Sequence, residues 1–493
     1  MSSCENITSA HKEEKAGTLP LSLEEYAITS NGFLPEQIPL KRLPQLYYDP
    51  WEDLVETLPT AIADHTLRPQ VDRLPILSTD YLATEEQWRR AYVVLGFLTH
   101  GYIWGGNTAA EILPPSITLP LLSVSHHLGI PPVATYASLN LWNFTSTSPG
   151  HDPSDLDALQ AQHTFTGTTD ESWFYMVSVA IESQGAPLIP LMLDALQALF
   201  PSPQPHPQPH SESPPVPNPP PSPITTATTA LNTMTTTIHN LGTLLDRMDE
   251  HCDPQVFYHR IRPFLAGSKN MAAAGLPRGV FYDEGPDSGG RWRQLRGGSN
   301  GQSSLIQFLD VVLGVEHLHA GEGVQVVRSY SGGRGGGTAM NFHQEVRGYM
   351  PEPHRRFLED VEARWPGGMR TAVGRVLMGV DGDGKGQGGR LGDEERALGE
   401  AFRTATRALA KFRNKHLQIV TRYIVIPSRQ PNGSRGINLA TASSRLEAAS
   451  SAVGGNRMAD GGAELTGTGG TALLPFLKQS RDETFRAGGF HVQ

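Results

Sequence analysis

The chain has 493 residues, enough for two or more domains, with 38% hydrophobic and 18% charged residues and a formal net charge of −10. An acidic balance excludes nucleic acid as the main partner, because phosphate binding needs a basic face. Two cysteines, Cys4 and Cys252, exclude a disulfide framework beyond one bridge and fit a reducing compartment.

Taken in order, the first segment, MSSCENITSAHKEEKAG, is polar and lacks the apolar core of a secretory signal. No stretch reaches the roughly 18 uncharged apolar residues of a membrane span, so a cytoplasmic protein without a membrane partner is expected. Thr84 and Gln87 read as a capping box ahead of WRRAYVVLGFLTHGYI, a helix start. The proline-rich insertion 201–224 cannot form helix or sheet, since proline fixes φ and lacks an amide proton. SSLIQFLDVVLGV is apolar nearly all round and reads as a buried helix capped by Ser303 or Ser304. PEPHRRFLEDVEA, from Pro351 to Ala363, opens with prolines and continues at helical spacing. A glycine-rich loop covers 379–392, and from Asp393 onward DEERALGEAFRTATRALAKFRNKHLQIVTRYIVI reads as one long helix with an acidic first turn. A flexible loop, 427–464, comes next. The expected fold is all-α, a small amino-terminal domain over 1–165 and a large helical domain over 166–493.

Several residues stand out chemically. Leu409, Phe412, His416, Ile419, Val420 and Tyr423 share one face of the long helix. His416 among them is either a core histidine bonded to a carbonyl or an axial ligand, since a haem plane needs an apolar wall with one nitrogen donor. Arg413, one turn earlier, suits a propionate or a buried carboxylate. Asp310 interrupts the apolar helix and either pairs with Arg413 or lies on a narrow wet strip. Arg262 in VFYHRIRPFLAG is a lone cation among apolar residues, a snorkelling arginine or the anchor of a small carboxylate. Gly297 to Gly301 matches G-x-S-x-G, but the preceding RWRQLR shows no buried-strand character and the chain lacks the sheet. A hydrolase elbow at Ser299 is therefore the disfavoured rival, which covalent labelling of Ser299 without haem absorbance would reveal. The calcium-like Asp381-Gly382-Asp383 has Lys385 where a ligand is needed, and the Gly332 to Gly337 run lacks the Lys-Ser/Thr of a phosphate loop.

FRNKHLQIVTRYIVIPS and GGSNGQSSLIQFLDVVLGV resemble the haem-binding signatures of the indoleamine 2,3-dioxygenases. LPLLSVSHHLGIPPVATYASLNLWNF, WFYMVSVAIE, VFYHRIRPFLAG, RGYMPEPHRRFLEDVE and GTGGTALLPFLK appear in family order, so the resemblance spans most of the chain. It implies haem b between the two domains, with His416 as iron ligand and Arg413, Asp310 and Gly298 around the cofactor. It implies a tryptophan-like substrate held by Tyr136, Phe174, Ser299, Asn300 and Thr468. Arg262, Ser178 and Phe257 would act nearest the chemistry, Arg262 on the carboxylate. The implied reaction opens the indole C2–C3 bond of L-tryptophan with O2 to N-formylkynurenine, on the kynurenine route to NAD. An electron donor would reduce the iron, and a monomer is expected. No distal motif offers an aligned histidine, although His259 lies near Arg262. Two departures bear on this: Pro263 disfavours helical geometry at Arg262, and Tyr175 and Asn300 make the pocket more polar. The alternative is a non-catalytic haem protein with a degenerate distal site.

Overall fold

Apolar residues at helical spacing must bury one stripe against a neighbour, and helices accordingly carry the architecture. The computed structural model describes residues 21–148, 150, 152–200, 221–317, 342–379, 391–429 and 473–489. Thr468, Cys4, the two rejected glycine motifs and most of 201–224, 379–392 and 427–464 lie outside the described residues.

The helix Glu85–Trp104 starts after Thr84 as expected, but the reciprocal box does not form. The Thr84 hydroxyl makes no capping bond, and Gln87 Oε1 accepts from the Ala83 amide at 2.8 Å and from Gln45 Nε2 at 3.0 Å. Arg90 of this helix is buried and forks onto Glu52 at 3.0 and 2.5 Å, the pairing a closed-off guanidinium requires.

Thr169–Gly185 and Leu188–Leu199 come next, the first capped by the Thr168 hydroxyl. Sequence reading admits no uncharged apolar run of membrane length, yet this 31-residue helical run, mean hydropathy 1.3 in its best window, passes by length and composition. That window is 72% buried inside the protein, so its apolarity serves the core. The proline-rich insertion ends earlier than expected: Ser222 caps and Pro223 opens the helix Pro223–Asp246, because the first helical position needs no amide donor.

Ser303 decides the start of Ser304–Leu313, its hydroxyl accepting from the Ile306 amide at 3.2 Å. Gly314 ends it at φ 71°, where a Cβ would lie 2.0 Å from the Gly367 carbonyl oxygen, so only glycine fits. Glu352–Arg364 forms where the paired prolines predict it. Asp393–Val420 carries Asp393, Glu394 and Glu395 in its first turn, at the positive end of the dipole. The rod predicted to continue as one helix instead changes pitch to a π-helix over Thr421–Val425 and closes with Ile426–Ser428. It packs chiefly on Pro223–Asp246 and on Leu473–Ala487.

Strands are short: β1 (Ile112–Leu113), β2 (Phe144–Ser146), β3 (Leu159–Ala161), β4 (Val280–Gly285) and β5 (Gly289–Arg293). The sheet order is β1-β4-β5, with β1 parallel and β5 antiparallel to β4, and β2 pairs antiparallel with β3. RWRQLR therefore begins in a strand, but one without the buried-strand character a hydrolase elbow needs, as expected. Neither face of β5 is buried; Trp292 pairs across the hairpin with Phe281 and lies under Arg278, so no apolar alternation marks it. One contiguous cluster of buried apolar side chains runs from Tyr26 to Ile424, on both sides of residue 165.

Candidate functional site

A cavity opens where the long Asp393–Val420 helix and its π turn face Thr169–Gly185, the Gly297–Gly301 loop and the start of Ser304–Leu313. It holds roughly 1800 Å³ of space, mouth included. Three π-helical turns, Ala137–Leu141, Phe257–Ile261 and Thr421–Val425, each contribute to its wall. A π turn inserts one residue into a helix and rotates the residues beyond it, which collects side chains that a regular helix would spread.

His416 lies on the cavity wall with Phe412, Ile419, Val420 and Tyr423, as the sequence face predicts. Among the described residues its ring has no hydrogen-bond partner, which removes the reading of a core histidine bonded to a carbonyl. Burial, with Arg413 nearby, pushes its pKa down to about 4, so the imidazole is neutral and keeps a lone pair for a metal. Arg413 Nη2 donates to Asp310 Oδ2 at 2.5 Å, and both side chains are nearly closed to solvent. Burial raises the Asp310 pKa, but Arg413 and His317 together outweigh it and hold the carboxyl well below the usual range. The wet-strip reading of Asp310 therefore fails. A neutral imidazole in an apolar wall, backed by a neutralised ion pair, fits an iron porphyrin.

The opposite wall carries Tyr136, Phe174, Ser178 and Phe257. Phe257 links the two walls, its ring 4.8 Å from Phe174 and 5.7 Å from Tyr423. Arg262 is 3% exposed, lines the cavity and lies 5.7 Å from the Tyr258 ring. Pro263 does not spoil its aim: Arg262 is helical at φ −51°, ψ −37° and opens the turn Arg262–Leu265 directly after a π-helix. The proline then occupies an early helical position, where its missing amide costs nothing.

Gly298, Ser299 and Asn300 border the cavity. A Cβ on Gly297 would lie 2.0 Å from the Leu265 carbonyl oxygen, a close approach of two backbones, and one on Gly298 would meet the Leu139 side chain at 2.3 Å. Ser299 is extended at φ −147°, ψ 142° and accepts from the Gly301 amide, not the strained turn of a nucleophile elbow. Gln302 locks this loop to the far wall, donating to the Gly297 carbonyl at 2.9 Å and accepting from the Tyr136 amide at 2.8 Å.

The structure thus gathers eleven predicted residues, Tyr136, Phe174, Ser178, Phe257, Arg262, Gly298, Ser299, Asn300, Asp310, Arg413 and His416, around one cavity. Tyr175 does not join them. It is buried the other way, its hydroxyl donating to Glu171 at 2.8 Å, so only Asn300 adds the expected polarity. His259 is also absent from the wall. Sequence reasoning missed Glu182, Gln302, His317 and His343. Glu182 accepts from Ser303 Oγ at 2.6 Å and Tyr136 OH at 3.1 Å, and burial pushes its pKa up to about 7. It carries the signal that exposed Asp310, a lone carboxylate in an apolar helix. The histidines carry none, since Glu483 and Ser480, which they meet, are distant in sequence.

Comparison with known proteins agrees. The profile of one family, described as Indoleamine 2,3-dioxygenase, matches residues 22–487. An indoleamine 2,3-dioxygenase from Saccharomyces cerevisiae is 38% identical over 481 residues, covering 95% of this chain and 94% of that one. One from Penicillium citrinum is 37% identical over 478 residues, covering 95% and 89%. A Fusarium equiseti protein named 6-hydroxytryptophan 2,3-dioxygenase is 34% identical over 470 residues, covering 95% and 98%.

Proposed function

We propose, from the premise that this chain belongs to the indoleamine 2,3-dioxygenase family, that it opens the indole C2–C3 bond of L-tryptophan with O2 to give N-formylkynurenine. Dioxygenase activity on tryptophan-like substrates is common to that haem-dependent family, and this chain is such an oxidoreductase. The finer assignments are ours: haem b on His416, L-tryptophan as substrate, a cytosolic monomer, and a product destined for the kynurenine route to NAD.

One observation carries the reading. The neutral imidazole of His416 and the buried guanidinium of Arg262 open into the same apolar cavity. When bound, the haem supplies O2 chemistry, kept ferrous by an electron donor. Everything else falls to the protein. Arg262 takes the substrate carboxylate, and Phe174, Phe257 and Tyr136 flank the indole and exclude water. Ser178 and Ser299 offer hydroxyls at the wall, and Asn300 an amide, toward the substrate's amino group. Both oxygen atoms end in the product, so no further co-substrate is consumed.

Absorption spectra with and without L-tryptophan, together with product analysis under reductant and O2, test this. A haem band that responds to L-tryptophan, with N-formylkynurenine formed, is expected. A normal haem band without product would overturn it in favour of a non-catalytic haem protein.

A further inference from the structure

The Asp310–Arg413 pair is part of a larger cluster. Asp310 Oδ2, already bonded to Arg413, also meets His317 Nε2 at 3.2 Å. The other ring nitrogen, Nδ1, lies 2.7 Å from Glu483 Oε2. An ionised carboxylate only accepts hydrogen bonds, so a ring between two of them satisfies both contacts only with a proton on each nitrogen. The three side chains are 6%, 10% and 2% exposed, and among the described residues two carboxylates face a guanidinium and an imidazolium. His343 stacks on His317 with centroids 3.6 Å apart, and its Nε2 meets Ser480 Oγ at 3.0 Å. Arg413 Nη1 in turn bonds the Thr484 hydroxyl. Ser480, Glu483 and Thr484 share one face of Leu473–Ala487, so this helix engages three members of the cluster.

We propose that His317 is a positioning residue whose imidazolium clamps the helix Leu473–Ala487 onto the ion pair behind His416, closing the cavity wall formed by Phe476, Leu477 and Ser480. It rests on the proposed reading only in calling that cavity the reactive site. Asp310, His317 and His343 each bring one donor atom within 4.8 Å of the others, an arrangement that suits a metal ion. The guanidinium on Asp310 and the second carboxylate on His317 favour a proton there instead, because a divalent cation would leave positive charge uncompensated.

Among the described residues, the charged and titratable groups facing His317 are Asp310, Arg413, Glu483 and His343, with Arg347 beyond His343. Burial opposes charge on His317, but Asp310 and Glu483 outweigh it and raise its pKa. Burial and the adjacent imidazolium push His343 the other way, well below the ordinary value. A group with a raised folded pKa contributes below its unfolded value and is lost as pH rises through the folded one. The clamp therefore holds below the ordinary histidine value and releases as pH rises through the raised one.

Amide hydrogen exchange of the 473–487 peptide in full-length, haem-loaded protein tests this, corrected for intrinsic exchange across pH, with His317→Gln and Glu483→Gln as variants. Wild-type protection should fall roughly tenfold to a hundredfold as His317 titrates. His317→Gln should show the low protection at every pH, and Glu483→Gln a weakened pH response. The His317 ring titration in wild type, read by NMR, should lie above the ordinary histidine value and coincide with the loss. A pH response unchanged in His317→Gln, or a ring that titrates at or below the ordinary value, overturns the clamp. Because exchange is read rather than product, a failure to turn over tryptophan leaves this test intact.

Discussion

Single side chains at this site are held in states that water would not favour. His416 is neutral on a wall that it shares with Phe412, Ile419, Val420 and Tyr423. His416→Ala should abolish or greatly reduce the haem absorption band and all dioxygenase activity while circular dichroism stays near wild type. Full haem occupancy in that variant would sink the ligand assignment. Arg262 lines the cavity from a buried position, and a forked contact from it to a carboxylate contributes about 1.5–3 kcal/mol, roughly ten- to hundredfold. Arg262→Ala should lower kcat/KM for L-tryptophan by that factor and spare tryptamine, which has no carboxylate, if tryptamine is turned over. Arg262→Lys should recover only part, since it keeps the charge and loses the fork. Unchanged kcat/KM for L-tryptophan in the alanine variant would show that the anchor lies elsewhere.

Elements meet at this site through polar contacts buried between them, and these are costly to half-remove. Asp310 joins Ser304–Leu313 to Asp393–Val420 through Arg413. Losing one member of a buried pair costs about 3–5 kcal/mol because the other is left charged. Asp310→Ala should be the more damaging change in urea unfolding, since Arg413→Ala leaves Asp310 still bonded to His317. The double variant should lose less than the sum, and strict additivity would mean the two residues do not interact. Ser303 joins a second pair of elements, capping its own helix while donating to Glu182 of Thr169–Gly185. Ser303→Ala should lower stability by about 1–3 kcal/mol, the sum of a lost cap and a buried acceptor left short, and a loss within error of zero would remove both roles.

Over the whole molecule, buried neutral histidines set the response to acid. His100 donates from one ring nitrogen to the Phe264 carbonyl at 2.6 Å and accepts from the Ala134 amide at 3.2 Å, contacts only the neutral ring makes together. Burial lowers His100 to about 4 and both His163 and His354 to about 3. Their unfolded values are higher, so unfolding takes up protons and stability is lost as pH falls below about 6.5. Each contributes a slope of about 1.4 kcal/mol per pH unit while it titrates. Glu182 works with opposite sign, its raised pKa of about 7 contributing stability at low pH that fades toward neutrality. His343 and His416 are lowered too, and Glu171 and His317 are raised like Glu182, so among the described residues five lowered histidines stand against three raised groups. The net effect is a loss, so Tm should fall between pH 6.5 and 4, and a flat Tm there would refute the account.

Local periodicity accounts for the part of this protein that the sequence determined by itself. A face repeating every three or four residues identified the long helix, placed His416 on its apolar side and exposed Asp310 as a carboxylate that needed a cation. Capping and turn chemistry bounded Ser304–Leu313 and Glu352–Arg364. Signature strings beyond that periodicity pointed to the family and to eleven residues that share one cavity. Only the tertiary structure decided the rest. A π turn differs from an α-helix by one inserted residue and has no composition of its own, so Arg262 looked misdirected by Pro263 until Phe257–Ile261 was seen to re-aim it. β5 buries neither face and hides from any hydrophobic pattern. Tyr175 and Ser178 both sit on one apolar helix, and only packing turned the first onto Glu171 and the second into the cavity. Asp310 and Arg413 are 103 residues apart, yet an unpaired buried charge announces its need for a partner. His317 and Glu483 are 166 residues apart and each reads as an ordinary solvated side chain, so their meeting depends on how Leu473–Ala487 docks, which no local pattern encodes.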